Sequence, residues 1–254
     1  SEARNRGLAQ CKGRYVCFLD DDDLYLPDHL GCFAEYLRLQ GFPKVILRSG
    51  MKSTGLGRCR EYPLYRKKRP DAHPLRFFLF HTCSPGTLCI PREFADGFGF
   101  TEGLDDWEDT EWIIRLFARY PMVQLERATY IYVKHEAMGS LTAYRDGAAM
   151  LRQLTGVEAV MDNLLEDKLI RRLISRRYRF RWLAKQYLLY AAQAWEFLGA
   201  REAKKVYCEA LRRGLWWYAG GGMVRMFWKI WFCSSPISSG VEGSAAAKQQ
   251  KEVL

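Results

Sequence analysis

Residues Tyr15 to Pro27 read YVCFLDDDDLYLP, a short apolar run that ends in four consecutive aspartates and then a proline. Such a run is the pattern of a buried strand, and Pro27 suits the start of a helix. A strand that delivers carboxylates to a loop is how α/β folds place a hard divalent cation at the carboxyl edge of a sheet. Four adjacent like charges repel one another, a cost that a purely structural turn has no reason to bear without a cation or strong donors nearby. The competing reading is a solvated acidic turn whose last member favours the N-terminus of the following helix. On these residues alone both readings stand.

The rest of the N-terminal half continues in α/β style. Periodicity predicts helices over 2–12, 27–39 and 109–119, and strands over 15–19, 44–48, 86–90, 122–126 and 129–134. Glycines, prolines and the basic run Arg66-Lys67-Lys68-Arg69 make 50–74 read as an irregular connection, and 96–104 reads as a glycine-rich loop. With 254 residues, 48% of them hydrophobic, the chain can bury one domain plus a helical appendage. Its eight cysteines form no C-x-x-C pair, so a disulfide scaffold and a zinc site are disfavoured and reduced thiols are expected. The net charge of +10 implies an anionic partner: a nucleotide diphosphate, a lipid surface or nucleic acid.

Three blocks of residues now bear on one another. The first is Ala3-Arg4-Asn5 with Gly7, then Gly13-Arg14-Tyr15, the apolar strand and the aspartates. The second runs from Pro85-Gly-Thr-Leu-Cys-Ile-Pro-Arg through Gly97-Phe-Gly-Phe-Thr-Glu-Gly-Leu to Trp107-Glu108-Asp109-Thr-Glu-Trp and Arg115. The third is His135 followed by Ser140. In order and spacing they resemble a family 2 glycosyltransferase of the GT-A fold over roughly the first 140 residues. The family opens with two further strands that build most of the nucleotide-base pocket, and nothing like them precedes Ser1. The resemblance therefore implies a partial GT-A (Rossmann-like) nucleotide-diphospho-sugar transferase domain, N-terminally incomplete.

It also implies site residues. Asp20 and Asp22 form the D-x-D pair expected to meet ribose and a Mg2+ or Mn2+ ion, with Asp22 the direct ligand. Asp21 points the other way, beside the donor, and Asp23 holds the loop. His135 adds a ligand to the cation or a hydrogen bond to the diphosphate, although a lone histidine after a strand is commonly structural. Arg4 and Asn5 are expected beside the nucleotide, with packing or capping as the alternative for Asn5. Asp109 corresponds to the base of an inverting transfer, with Glu108 as its partner. Acids in a helix's first turn also answer the macrodipole, and the helix is amphipathic in any case.

Beyond residue 145 the character becomes helical. The expected division is 1–145 as the glycosyltransferase domain, 146–232 as a helical extension and 233–254 as a flexible tail. Between Tyr187 and Gly214, the spacing of Trp195, Gly199, Ala203, Tyr207 and Ala210 resembles one tetratricopeptide-type helix pair. The segment 171–182, RRLISRRYRFRW, carries Arg179 where processive synthases have glutamine, so processivity is not inferred. Residues 215–232, LWWYAGGGMVRMFWKIWF, mix aromatic and basic side chains as membrane-interface segments do, with packing on the core as the alternative. The function expected is transfer of a sugar from a nucleotide-sugar donor to a saccharide or lipid-linked acceptor, in the cytoplasm or peripherally at the inner membrane face. The alternative is an inactive remnant acting as a binding module. No nucleic-acid module signature is visible, so no nucleic-acid partner is expected.

Overall fold

The computed structural model describes residues 1–55, 58–66, 73–81, 83–104, 107–133 and 147–233. The chain divides into two compact units, Ser1–Ala143 with Ala159–Ser175, and Tyr144–Glu158 with Arg176–Leu254. Segment 159–175 thus groups with the α/β part, although the sequence pattern placed it in the helical extension.

In the first unit, helix α1 (Glu2–Gln10) precedes strand β1 (Tyr15–Cys17), strand β2 (Leu24–Tyr25) and helix α2 (His29–Leu39). Strand β3 (Ile46–Gly55) pairs with β4 (Arg58–Glu61), and a short helix α3 (Pro74–Phe78) and a 3-10 turn (Pro85–Thr87) lead to β5 (Leu88–Pro91). Helices α4 (Arg92–Ala95) and α5 (Glu108–Arg119) precede β6 (Met122–Val133). The sheet order is β1-β5-β3-β6-β2, with β4 beside β3; among the described residues β3 and β6 run parallel and the other pairs antiparallel. A mixed sheet with helices is the α/β architecture expected.

Packing explains why these segments hold. Helix α2 places Cys32, Phe33 and Leu37 against Leu47 of β3 and Cys89 of β5, the i, i+1, i+5 stripe of one helical face. Helix α5 buries Trp112, Ile113, Leu116 and Phe117, and the Trp112 indole N–H donates to the Phe98 carbonyl at 2.7 Å.

The observed strands depart from expectation at β2, which was not foreseen, at 86–90, whose first residues form the 3-10 turn before β5, and in two longer segments. Part of 50–74 is regular, because β3 continues to Gly55 and turns back into β4, with Lys52 opposite Glu61. Backbone pairing on both sides of β3 overrides the weak strand preference of its Ser, Thr and Gly residues. Segments 122–126 and 129–134 are one strand, broken in register: Arg48 faces Gln124, whereas Gly50 faces Ala128. The extra residues bulge out, which erases the period-2 signal. A Cβ on Gly50 would stand 2.9 Å from the Ala128 Cα, so the close approach at the bulge requires glycine.

Helix α6 (Gly147–Glu166) is shared between the units, and α7 (Lys168–Leu173) belongs to the first, where the Asp167 carboxylate caps it and pairs with Arg119. The second unit is built on α8 (Arg176–Phe197) and α9 (Ala200–Arg212), followed by α10 (Trp216–Ala219) and α11 (Gly221–Phe232). Gly199 turns the chain between α8 and α9 at φ 92°, and Ala203, Tyr207 and Ala210 are buried as the helix-pair spacing predicts. No helix among the described residues is long and apolar enough to cross a membrane.

Candidate functional site

Strand β1 ends at Cys17, and the chain turns through Phe18 to Asp23, where the Asp23 amide donates to the Asp20 carbonyl at 3.2 Å. Four adjacent carboxylates are thereby sorted into different surroundings. Asp23 is buried at 5% exposure; its carboxylate accepts from the Val133 amide at 2.9 Å and from the Tyr130 hydroxyl. Burial raises its pKa, and those two donors oppose the rise. Asp21 and Asp22 are exposed. Asp20 is half-buried and accepts from Arg4 Nη2 at 2.7 Å.

Arg4 ties two distant blocks together. Its other terminal nitrogen, Nη1, donates to Glu108 Oε1 at 2.9 Å, and its guanidinium lies 5.4 Å from the Phe100 ring centre. Burial pulls the Arg4 pKa down, but Asp20 and Glu108 together carry it above its ordinary value. The aspartate loop and the start of α5, 88 residues apart in sequence, therefore meet across one guanidinium. Asp109 lies beside Glu108 in the first turn of α5, and its Oδ1 accepts from the Thr110 amide at 2.5 Å. Burial first, and the Glu108 charge second, push the Asp109 carboxyl up to about 6. Trp107, which precedes the pair, holds φ 68° in the left-handed region, a strained conformation for a bulky side chain.

Asn5 is hydrogen-bonded to the second block. Its carboxamide pairs with the Phe100 backbone in both directions, accepting from N–H at 2.7 Å and donating to C=O at 2.9 Å, and it also donates to Glu102 at 3.2 Å. The second block is braced further by Arg115, whose guanidinium grips Glu111 at 2.6 and 2.9 Å and donates to the Gly99 carbonyl at 2.7 Å. His135 lies outside the described residues. Among the described residues no group of three acidic, histidine or cysteine side chains gathers closely enough to hold a metal ion unaided.

Sequence reasoning missed Tyr130 and Tyr132. Tyr130 receives a hydrogen bond from Ser84 at 3.1 Å while its own hydroxyl reaches Asp23. Tyr132 is 40% exposed, and burial followed by the charges of Asp23, Asp22 and, more weakly, Asp109 raises its pKa. The alternation of aromatic residues at 130 and 132 in β6 was the only signal available. Next to Arg4 and Asp20, a cleft of about 480 Å³ opens, walled by Gly7, Leu8, Cys17, Leu19 and Asp21.

Residues 1–96 match the family model for glycosyl transferase family 2. Over those residues the chain is similar to that family. No curated protein matches it in sequence. Among solved structures, residues 1–349 of S. aureus TarS in complex with UDP-GlcNAc align at TM-score 0.53 and 17% identity, over 89% of this chain and 69% of that one. Longer S. aureus TarS aligns at TM-score 0.51 and 16% identity, over 90% of this chain and 42% of that one. At such identities the likeness speaks for the GT-A fold. The chain therefore carries its two acidic blocks on a GT-A framework.

Proposed function

We propose that this glycosyltransferase moves a sugar from a UDP-sugar to a hydroxyl of a saccharide or lipid-linked acceptor, with inversion and with Asp109 as the base. The observation that carries the reading is the Arg4 bridge, which holds the aspartate loop against the helix end where a carboxyl pushed up to about 6 is waiting. TarS, similar in fold, is the protein seen with UDP-GlcNAc, which favours a UDP-sugar as donor.

The steps follow from the residues. Asp109, deprotonated, takes the proton of the acceptor hydroxyl as that oxygen attacks the anomeric carbon. The bond from that carbon to the diphosphate oxygen breaks on the opposite face, and the nucleotide diphosphate leaves with the electron pair. No covalent enzyme intermediate is required, and none of the nucleophile pairings that such chemistry needs is called for. Glu108, neutralised in part by Arg4, raises the basicity of its neighbour, and Arg4 keeps Asp20 turned toward the same site.

The donor set fits a Mg2+ or Mn2+ ion held as such ions usually are, by one or two carboxylates with the remaining positions left to phosphates and water. Asp22, exposed, and Asp20 would hold it, with His135 as a further ligand, and bound there it would offset charge on the departing diphosphate. The proposed location is cytoplasmic, peripheral to the inner membrane face.

The test is the isosteric change Asp109→Asn. Turnover, read as UDP released from UDP-GlcNAc and other UDP-sugars in the presence of acceptors, should fall about 10²–10⁴-fold. Donor affinity by calorimetry should stay within about threefold, since only a proton acceptor is removed. Turnover like that of the unaltered chain would remove Asp109 from the role.

A further inference from the structure

The second unit poses a question that sugar transfer leaves open. Its described residues, 147–158 and 176–233, hold thirteen Lys and Arg against four Glu, an excess of nine in a chain whose total is +10. Nearly all of the net charge is therefore concentrated in a unit that holds none of the acidic residues assigned to the transfer site.

The apolar surface of that unit is equally uneven. Helix α11 turns about 100° per residue, which sorts its side chains into three arcs. Met223, Met226 and Ile230 form the buried arc. Phe227, Trp231, Val224, Trp228 and Phe232 form a second apolar arc of about 140°, which faces solvent, with Val224, Trp228 and Phe232 each more than half exposed. Arg225 and Lys229 separate the two. An ordinary surface helix is polar opposite its buried stripe; this one is aromatic there. Trp217 of α10, 74% exposed, extends the same character to the preceding turn.

The two short helices enclose a cleft of about 630 Å³, lined by Tyr207, Leu211, Trp216, Trp217, Val224 and Phe227. That is within the roughly 300–1,000 Å³ of small-molecule sites. The Tyr207 hydroxyl is already spent on the Met223 carbonyl at 3.0 Å, which leaves the indole N–H groups of Trp216 and Trp217 as the polar ends in a lining that is otherwise apolar.

From this we infer that α10 and α11 form a docking surface for an anionic lipid bilayer, the exposed aromatic arc entering the headgroup boundary and the cleft receiving one acyl chain of a bound lipid. The charge decides the occupant: a surface with nine excess cations complements anionic headgroups, and exposed Trp and Phe among Lys and Arg are the side chains that settle at the interface. A nucleic acid would satisfy the charge and leave the cleft empty. The inference rests on the proposed function only in what it adds to it, a lipid surface as the place where the acceptor is met; its own test needs no turnover.

Sedimentation of the whole chain with vesicles of phosphatidylcholine alone, or with about one third phosphatidylglycerol, reads the surface directly. Binding should be at least tenfold stronger to the anionic vesicles and fall with salt. Lipids brominated in the acyl chain should quench tryptophan emission. Trp217→Ser combined with Trp228→Ser, both at exposed positions, should cut binding about tenfold or more while the circular dichroism spectrum is retained, and Arg225→Glu should weaken binding to anionic vesicles alone. Folded protein that stays in the supernatant with anionic vesicles at low salt would overturn the inference. So would full displacement from vesicles by a short RNA or DNA duplex with binding to it unaffected by the tryptophan changes, which would assign the charge to nucleic acid. Val224→Phe, which narrows the cleft without adding an emitter, should reduce brominated-lipid quenching; unchanged quenching would remove the acyl chain from the cleft.

Discussion

Asp109 is where the electrostatics of the site become measurable. Its carboxyl is raised from 3.8 to about 6, and in its proposed role as base it must be ionised to act. The pH profile of kcat/KM should therefore climb through about pH 6 and level off above it. Stability runs the other way. Below about pH 4 the carboxyl is protonated both folded and unfolded; between about 4 and 6 only the unfolded chain ionises, and from there upward folding carries the full penalty of a group held above its unfolded pKa. Replacing Asp109 with Asn should thus raise the melting temperature at pH 7.5 and have little effect at pH 3.5, with an upper bound of about 3 kcal/mol. Thermal scans at the two pH values check it; equal shifts at both would mean that the Asn effect is packing. Asp20, Asp22, Glu108 and Asp109 were all legible as acids in the sequence, but the surroundings that tell them and their neighbours apart were not. Only the fold reveals that Asp23 is committed to Tyr130 and Val133, or that Asn5 is committed to Phe100. Those partners lie about 95–110 residues away, beyond any local pattern.

One element shows how the site is held from behind. The turn at Pro85–Thr87 presses Gly86 against Tyr130 so closely that a Cβ would stand 2.2 Å from the Tyr130 ring. That ring carries the hydroxyl that binds Asp23, and β6 aligns it by pairing with β2, where Tyr25 faces Tyr130. Gly86→Ala should therefore push the ring, loosen the Asp23 anchor and destabilise the chain by about 1–3 kcal/mol. Chemical denaturation checks the loss, and weaker donor binding by calorimetry would show it reaching the aspartate loop. A destabilisation below about 0.5 kcal/mol would mean that Tyr130 moves freely aside. The strands flanking this turn were legible as apolar runs. The continuation of β3, the hairpin to β4 and the bulge of β6 were not, because pairing in those places comes from backbone hydrogen bonds between residues whose side chains alternate poorly.

At the scale of the molecule, the sequence announced a change of character near residue 145, and the α8–α9 pair followed from its small and aromatic spacing. The grouping of 159–175 with the sheet was not visible, since the continuous helix α6 carries no break in periodicity where the two units divide. What the division does expose is a separation of charge: the described part of the second unit holds an excess of nine, and the +10 total leaves little for the first. Salt should consequently discriminate between the two proposed activities of one chain. Donor recognition as proposed for the first unit would depend on short, partly buried contacts around Arg4 and Asp20, which screening reaches poorly, whereas the proposed attraction of the second unit to a charged surface would act through water over about 8–10 Å. Raising salt from 50 to 300 mM should weaken UDP-sugar binding by about threefold or less and weaken partition onto anionic vesicles by more than about tenfold. Calorimetry and vesicle sedimentation on the same preparation measure the two. If both fell in parallel, the excess charge would be serving the donor, and the assignment of separate tasks to the two units would be wrong.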